Sequence, residues 1–282
     1  MNTSTTDMTV PAADVSLQGH PGHSRGRSRR RGAAGPGKAL ARSRGGADTA
    51  RHRWSGSLMA EQRFRDRAEA GRLLAAELGD FAHRPDVIVL GLPRGGVPVA
   101  SEIARALDVA LDVLIVRKLG MPGQEELAVG AVASGGLRVL NPEEAALVSD
   151  EELEHATRRA RHEVERREVL YRKGLPDRRL SGKTVILVDD GAATGATMRA
   201  AIAAVRAQHP ALLVVALPTA PPETCASLTT GVDELVCLMA PKLFLSVGQW
   251  YEDFSQCTDD EVCALLNAAG DPAKVCFTAS PE

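Results

Sequence analysis

The chain has 282 residues, 44% hydrophobic but only 3% aromatic, with 34 Lys+Arg against 36 Asp+Glu for a formal charge of −2. That length allows one large domain or two small ones around a full core, and no stretch approaches the ~20 uninterrupted apolar residues of a membrane span. The near-zero charge hides an asymmetry: residues 1–57 carry a balance of +7, with Arg25, Arg27, Arg29, Arg30 and Arg31 close together, and the remainder carries −9. Five cysteines, odd in number and with no two-residue gap between any pair, argue against a zinc ribbon or a Cys-x-x-Cys redox motif. Free thiols in a reducing, cytoplasmic setting fit them better.

Residues 1–57 are poor in apolar side chains and rich in Gly, Ser, Arg and Pro. Such a segment cannot bury enough surface to offset its conformational entropy, so a disordered basic tail is expected. It is the one part of the chain expected to meet nucleic acid, through Arg25–Arg31. The ordered domain is expected over residues 58–282. Phe64, Ala68, Leu73, Leu74 and Leu78 recur at helical spacing. Asp86–Leu92 is a short apolar, β-branched run and predicts a buried strand. A helix over Val97–Leu107 and a second strand over Asp112–Arg117 follow. Ala128–Val132 and Leu137–Leu140 flank a Ser134-Gly135-Gly136 turn and predict a hairpin. Asp150–Lys173 is a long charged helix with a capping box from Ser149 to Glu152. Strands over Thr184–Asp189, Leu212–Leu217 and Glu234–Leu238 alternate with helices over Ala196–Gln208 and Glu223–Thr230. This alternation predicts an α/β fold: a parallel, doubly wound sheet of about five strands, flanked by helices, with a hairpin/helix insertion.

The most informative stretch runs from Val185 to Met198. Apolar residues form a strand, Asp189 and Asp190 stand at its end, and Gly191-Ala192-Ala193-Thr194-Gly195-Ala196-Thr197 opens a helix. In an open α/β sheet, ligands bind at the carboxyl ends of strands. A helix N-terminus offers N–H groups and positive dipole to an anion. Two acids beside it would repel a bare phosphate, so the ligand must also bring hydroxyls or share a divalent metal. A phosphorylated sugar meets these demands. Ser181-Gly182-Lys183-Thr184 mimics the end of a Walker loop but precedes its strand and has Asp177 where a glycine is required. A second turn, Gly91–Gly96, follows the first strand and contains Arg94, Gly95 and Gly96, and the next strand ends with Arg117 and Lys118. Four of the nine aromatics, Phe244, Trp250, Tyr251 and Phe254, fall within eleven residues.

The strand, acid pair and Ala-Thr-Gly-Ala-Thr turn resemble the phosphoribosyl-pyrophosphate (PRPP) motif of type I phosphoribosyltransferases. The run from Gly248 through Phe254 is similar to that of an uncharacterised branch of the family, over roughly residues 60–270. The resemblance implies that Asp189 and Asp190 take the ribose hydroxyls. It implies that the turn from Gly191 and Ala192 through Ala193, Thr194, Gly195, Ala196 and Thr197 binds PRPP, the last five cradling the 5-phosphate. Arg94, with Gly95 and Gly96, would hold the diphosphate, reached also by Lys118 or Arg117. Arg94 and Lys118 would act catalytically on the leaving group. Gly120–Glu126 is expected as a mobile loop over PRPP. A C-terminal hood, about residues 241–256, would hold the acceptor, with Trp250 and Tyr251 offering π-faces. Mg2+ is the implied cofactor, bound through PRPP and within reach of Asp189 and Asp190.

The implied reaction displaces pyrophosphate from PRPP by a nucleobase-like acceptor. Hypoxanthine–guanine enzymes carry an acid where this chain has Ala193, which argues against a 6-oxopurine. The alternative is a non-catalytic PRPP sensor that uses the basic tail on nucleic acid. A homodimer with no membrane partner is expected.

Overall fold

The computed structural model describes residues 51–54, 63–121, 124–172 and 179–269. In chain order the elements are β1 (Arg51–Trp54), α1 (Arg67–Glu77), β2 (Val87–Gly91), α2 (Gly96–Leu107), β3 (Ala110–Val113), β4 (Val116–Met121), β5 (Gln124–Ala133) and β6 (Leu137–Leu140). They continue with α3 (Pro142–Ala145), α4 (Asp150–Arg172), β7 (Thr184–Val188), α5 (Ala196–Arg206), β8 (Leu212–Thr219), α6 (Pro222–Leu228), β9 (Glu234–Met239) and α7 (Asp259–Ala268).

The main sheet runs β1-β9-β8-β7-β2-β3, with every pairing parallel. Five of its strands are those expected. The sixth, β1, pairs with β9 and comes from the segment expected as tail; the rest of residues 1–57 lies outside the described residues. Strand side chains alternate between faces, and two separate apolar cores result. Val89, Ile186, Val214 and Val236 join one, with helices α1, α2 and α7. Leu90, Leu187, Val215 and Leu235 join the other, with α5 and α6. A sheet covered on both faces explains why these strands read as unbroken apolar runs.

The expected strand Asp112–Arg117 is divided. β3 stops at Val113, and after Leu114 and Ile115 the chain starts β4, the first strand of a separate antiparallel sheet ordered β4-β5-β6. The apolar run is continuous through this crossing because Leu114 and Ile115 are both buried. Gly120–Glu126, expected as a loop, supplies the ends of two paired strands, with Met121 opposite Gln124. Backbone pairing in such a ribbon does not require apolar side chains, so a polar segment hides it.

The capping box of α4 is present: Ser149 Oγ accepts from Glu152 N–H, and Ser149 N–H donates to Glu152 Oε2. A second box, Thr258 with Glu261, starts α7, a helix the hydrophobic pattern did not indicate. Cys225, Cys237 and Cys257 are free thiols, as expected, whereas Cys263 is disulfide-bonded. No helix among the described residues is long and apolar enough to cross a membrane.

Candidate active site

Strand order creates the site. β2 and β7 are neighbours, but the chain leaves β2 through α2 towards β3 and leaves β7 through α5 towards β8. Their carboxyl ends therefore lie at a topological switch point, where connections diverge and open a crevice. The turn after β2 crosses to the end of β7: Leu92 N–H donates to Val188 O at 2.9 Å. A Cβ at Gly96 would stand 2.7 Å from Val188 O and 2.8 Å from Asp189 Cα. The structure thus brings Gly95 and Gly96 against Asp189 and Asp190. The Pro93–Arg94 peptide bond between them and β2 is cis.

The turn after β7 is pinned from behind. Gly195 has φ 72°, in the left-handed region, and N-caps α5, a conformation glycine adopts without Cβ strain. The first-turn N–H groups of α5 have no intrahelical partner; Ala196 N–H donates to Thr194 Oγ1 at 3.4 Å. Two carbonyls of the turn are braced: Thr224 Oγ1 of α6 donates to Ala193 O at 2.6 Å, and Arg199 Nη1 of α5 donates to Thr194 O at 2.9 Å. Ala193, Thr194 and Thr197 are exposed, while Gly191, Ala192, Gly195 and Ala196 are buried. Neither Thr224 nor Arg199 was foreseen; only the fold brings α6 to the turn.

The acid pair is held in a low-dielectric corner. Asp189 Oδ1 accepts from Asp190 N–H at 2.9 Å. Burial, then the neighbouring Asp190 charge, pushes the Asp189 carboxyl well above the usual carboxylate range. Burial also raises Asp190, opposed by the Arg67 guanidinium. Arg67 Nε donates to Asp190 Oδ2 at 2.8 Å, with only 12% and 14% of the two side chains exposed. Sequence reasoning missed this partner. No cluster of three or more His, Cys, Asp or Glu that could hold a metal ion is present among the described residues. Two adjacent carboxylates without a third fit a hard cation that completes its shell with ligand oxygens and water, as Mg2+ does.

The hood folds back over this corner. Phe64, ahead of α1, runs beside it: Phe64 N–H donates to Trp250 O at 2.9 Å, and Glu252 N–H donates to Phe64 O at 2.8 Å. Tyr251 is 3% exposed, packs on Phe64 and Phe254 with centroids 5.4 and 5.1 Å away, and donates its hydroxyl to Asp190 O at 2.6 Å. It is a buried strut with no open face for a planar ligand, unlike the stacking role expected of it. Trp250 is half-buried and stacks on Phe244 at 6.3 Å. Its indole Nε1 is buried without a hydrogen-bond partner among the described residues. Beside the hood, a pocket of about 360 Å³ is lined by Arg67, Pro98, Asp253, Gln256, Cys257 and Leu265.

The expected cations separate. Arg94 is half-buried and pairs with Asp259 Oδ1 of α7 at 3.8 Å; the same oxygen accepts from Tyr171 of α4. Arg117 and Lys118 lie on β4, opposite Val132 and Ala131, and so belong to the small sheet and not to the end of a main-sheet strand.

Fold and site together define an open α/β protein that presents an acid pair and a glycine-capped helix start at its switch point. The chain belongs to the phosphoribosyltransferase family, of the type I fold: the model of the phosphoribosyl transferase domain matches residues 65–225, more than half of the chain. Two Mycobacterium tuberculosis proteins, each named "Putative phosphoribosyl transferase", are 45% identical to it over 208 residues, 73% of this chain and 47% of theirs. The chain thus spans about half the length of the curated relatives it matches. The crystal structure of TT1426 from Thermus thermophilus is 44% identical, covers 74% of this chain and 100% of that one, and superposes with a TM-score of 0.69.

Proposed function

We propose that the protein transfers the 5-phosphoribosyl group of PRPP to a nucleobase-like acceptor, releasing pyrophosphate. The observation that carries this reading is the meeting of two turns at one switch point, Gly95–Gly96 against Asp189–Asp190, beside the Ala193–Thr197 turn. A ligand with a phosphate at one end, hydroxyls in the middle and a diphosphate at the other matches that order of groups.

The turn Gly191–Thr197 binds the 5-phosphate through backbone N–H groups and the exposed hydroxyls of Thr194 and Thr197. Asp189 and Asp190 accept from the ribose hydroxyls. Arg94 and the backbone of Gly95 and Gly96 hold the diphosphate and stabilise the charge that grows on it as the glycosidic bond breaks. Arg117 and Lys118 reach it from β4 if the ribbon folds inward. Mg2+, when bound, would neutralise diphosphate charge and be shared with Asp189 and Asp190. The hood excludes water and presents Trp250 to the acceptor, with Tyr251 as its support. Ala193 leaves no acid in the turn to address a 6-oxopurine. A cytoplasmic homodimer is part of the same reading. Three of the four described cysteines are free, and Leu243 and Leu245, 86% and 93% exposed in the hood, offer apolar surface for a second copy to cover.

Calorimetry with PRPP and Mg2+ tests the site. Binding is expected for the parent protein and its loss for the Asp189→Asn, Asp190→Asn double variant; undiminished binding in that variant would remove the assignment. Pyrophosphate release across a panel of bases then tests transfer, and release with none of them favours a PRPP sensor.

A further inference from the structure

Arg67 joins two parts of the molecule that are far apart in sequence. Its Nε donates to Asp190 Oδ2, 123 positions away, at 2.8 Å. Its Nη1 donates to Ser255 O, 188 positions away, at 2.7 Å. Its flat face covers the Phe254 ring with 4.0 Å between the guanidinium carbon and the centroid. A guanidinium is one rigid plane, so these contacts cannot move independently. Folding of α1 does not need them, since Asp66 caps that helix through Glu69 N–H.

The acid end of this link is crowded. The Gly95 backbone sits so close to Asp190 Oδ2 that a Cβ there would lie 2.0 Å from it. A ligand hydroxyl that takes Oδ2 of this carboxylate must share it with Arg67 or turn the group. Either event changes the Arg67 contact.

We propose that Arg67 is a positioning residue that ties the hood to the phosphosugar site: a ligand engaging Asp190 shifts the guanidinium, and with it Phe254 and Ser255, so that occupancy of the sugar side sets the acceptor side. This rests on the PRPP reading above. Lysine cannot replace it, because one ammonium has no flat face for Phe254 and no fork to span Asp190 and Ser255.

The test uses the full chain with Trp54→Phe, which leaves Trp250 in the hood as its single tryptophan. PRPP–Mg2+ binding is followed by calorimetry and by Trp250 emission. The parent is expected to bind with a change in emission. Arg67→Met is expected to bind less than about tenfold more weakly and to lose the emission change. Arg67→Lys is expected to bind more nearly like the parent, still without the full response. Phe254→Leu removes the stacked face on the hood side, leaves the ion pair with Asp190 and the bond to Ser255 O in place, and is expected to reduce the response; it guards against an Arg67 variant that does not fold. A parent that binds silently, or an Arg67→Met or Phe254→Leu protein that keeps the full response, overturns the coupling. Absence of calorimetric binding by the parent removes the PRPP reading and the coupling together, and is recognised without any variant.

Discussion

A Cβ added at Gly95 would fall 2.0 Å from Oδ2 of Asp190. The turn that carries Gly95 and the acid pair are therefore closely fitted to each other. Asp190 cannot swing away freely, because Arg67 holds the same oxygen. Gly95→Ala must push the turn off the acid pair and is expected to weaken PRPP–Mg2+ binding at least ~10-fold, about 1.4 kcal/mol. Overpacking of this kind costs about 1–3 kcal/mol of stability. Calorimetry and thermal melting measure both, and unaltered affinity would mean that the turn backs away without harm.

Asp189 is held well above the usual carboxylate range by burial and by Asp190. Between the ordinary value and the raised folded value, the folded protein keeps a proton that the unfolded chain has released. The contribution of this group to stability is therefore intact below the ordinary carboxylate pKa and is lost as pH rises through the folded value. Asp189→Asn removes the charge but keeps an oxygen to accept from Asp190 N–H. It is expected to raise the melting temperature at neutral pH, by roughly 2–4 °C for each kcal/mol of relief, with the gain shrinking towards about pH 4. PRPP binding should fall in the same variant. A destabilised Asn variant at neutral pH would contradict this account of the acid pair.

The residues from Asp189 to Thr197 were legible in the sequence because one turn carries them all, in the order strand, acids, glycine, helix. Arg94 and Gly95–Gly96 were legible for the same local reason. That the two turns meet was not, because it depends on β2 and β7 being neighbours, and a parallel sheet does not record strand order in its apolar runs. Arg67 was invisible: an arginine in the first turn of a helix has no local mark, and its partners are set by the fold. The aromatic cluster was visible, but periodicity cannot tell that Tyr251 faces inward on Phe64 while Phe254 lies under a guanidinium. The helix α7 could have been found from Thr258-Asp259-Asp260-Glu261, a capping box ahead of a short apolar run. The boundary between β3 and β4 left no mark, since the crossing residues are as apolar as a strand.

Thr224 reaches from α6 to the turn after β7 and donates to Ala193 O at 2.6 Å. Loss of one such hydrogen bond costs about 1 kcal/mol. Thr224→Val keeps the shape and removes the donor, so it is expected to weaken PRPP binding roughly fivefold with little change in fold. Thr224→Ser, which keeps the hydroxyl, should restore most of the affinity. A loss in Thr224→Ser with affinity kept in Thr224→Val would instead assign the effect to the Thr224 methyl, which lies 3.0 Å from where a Cβ on Gly195 would stand.

Arg94 is engaged by Asp259 at 3.8 Å, with 36% and 39% of the two side chains exposed. An exposed pair at that distance is worth less than about 1 kcal/mol, which a diphosphate, carrying more charge, outcompetes. On the proposed reading, in which Arg94 holds the diphosphate, Asp259 would compete with the ligand for it. Asp259→Asn is expected to tighten PRPP binding up to roughly fivefold, and Tyr171 can still donate its hydroxyl to the new amide oxygen. The gain should shrink as salt screens the exposed charges. Titration of both proteins with PRPP and Mg2+ at low and high ionic strength decides the matter. Weaker binding by Asp259→Asn would mean that Asp259 serves the bound diphosphate and does not compete with it.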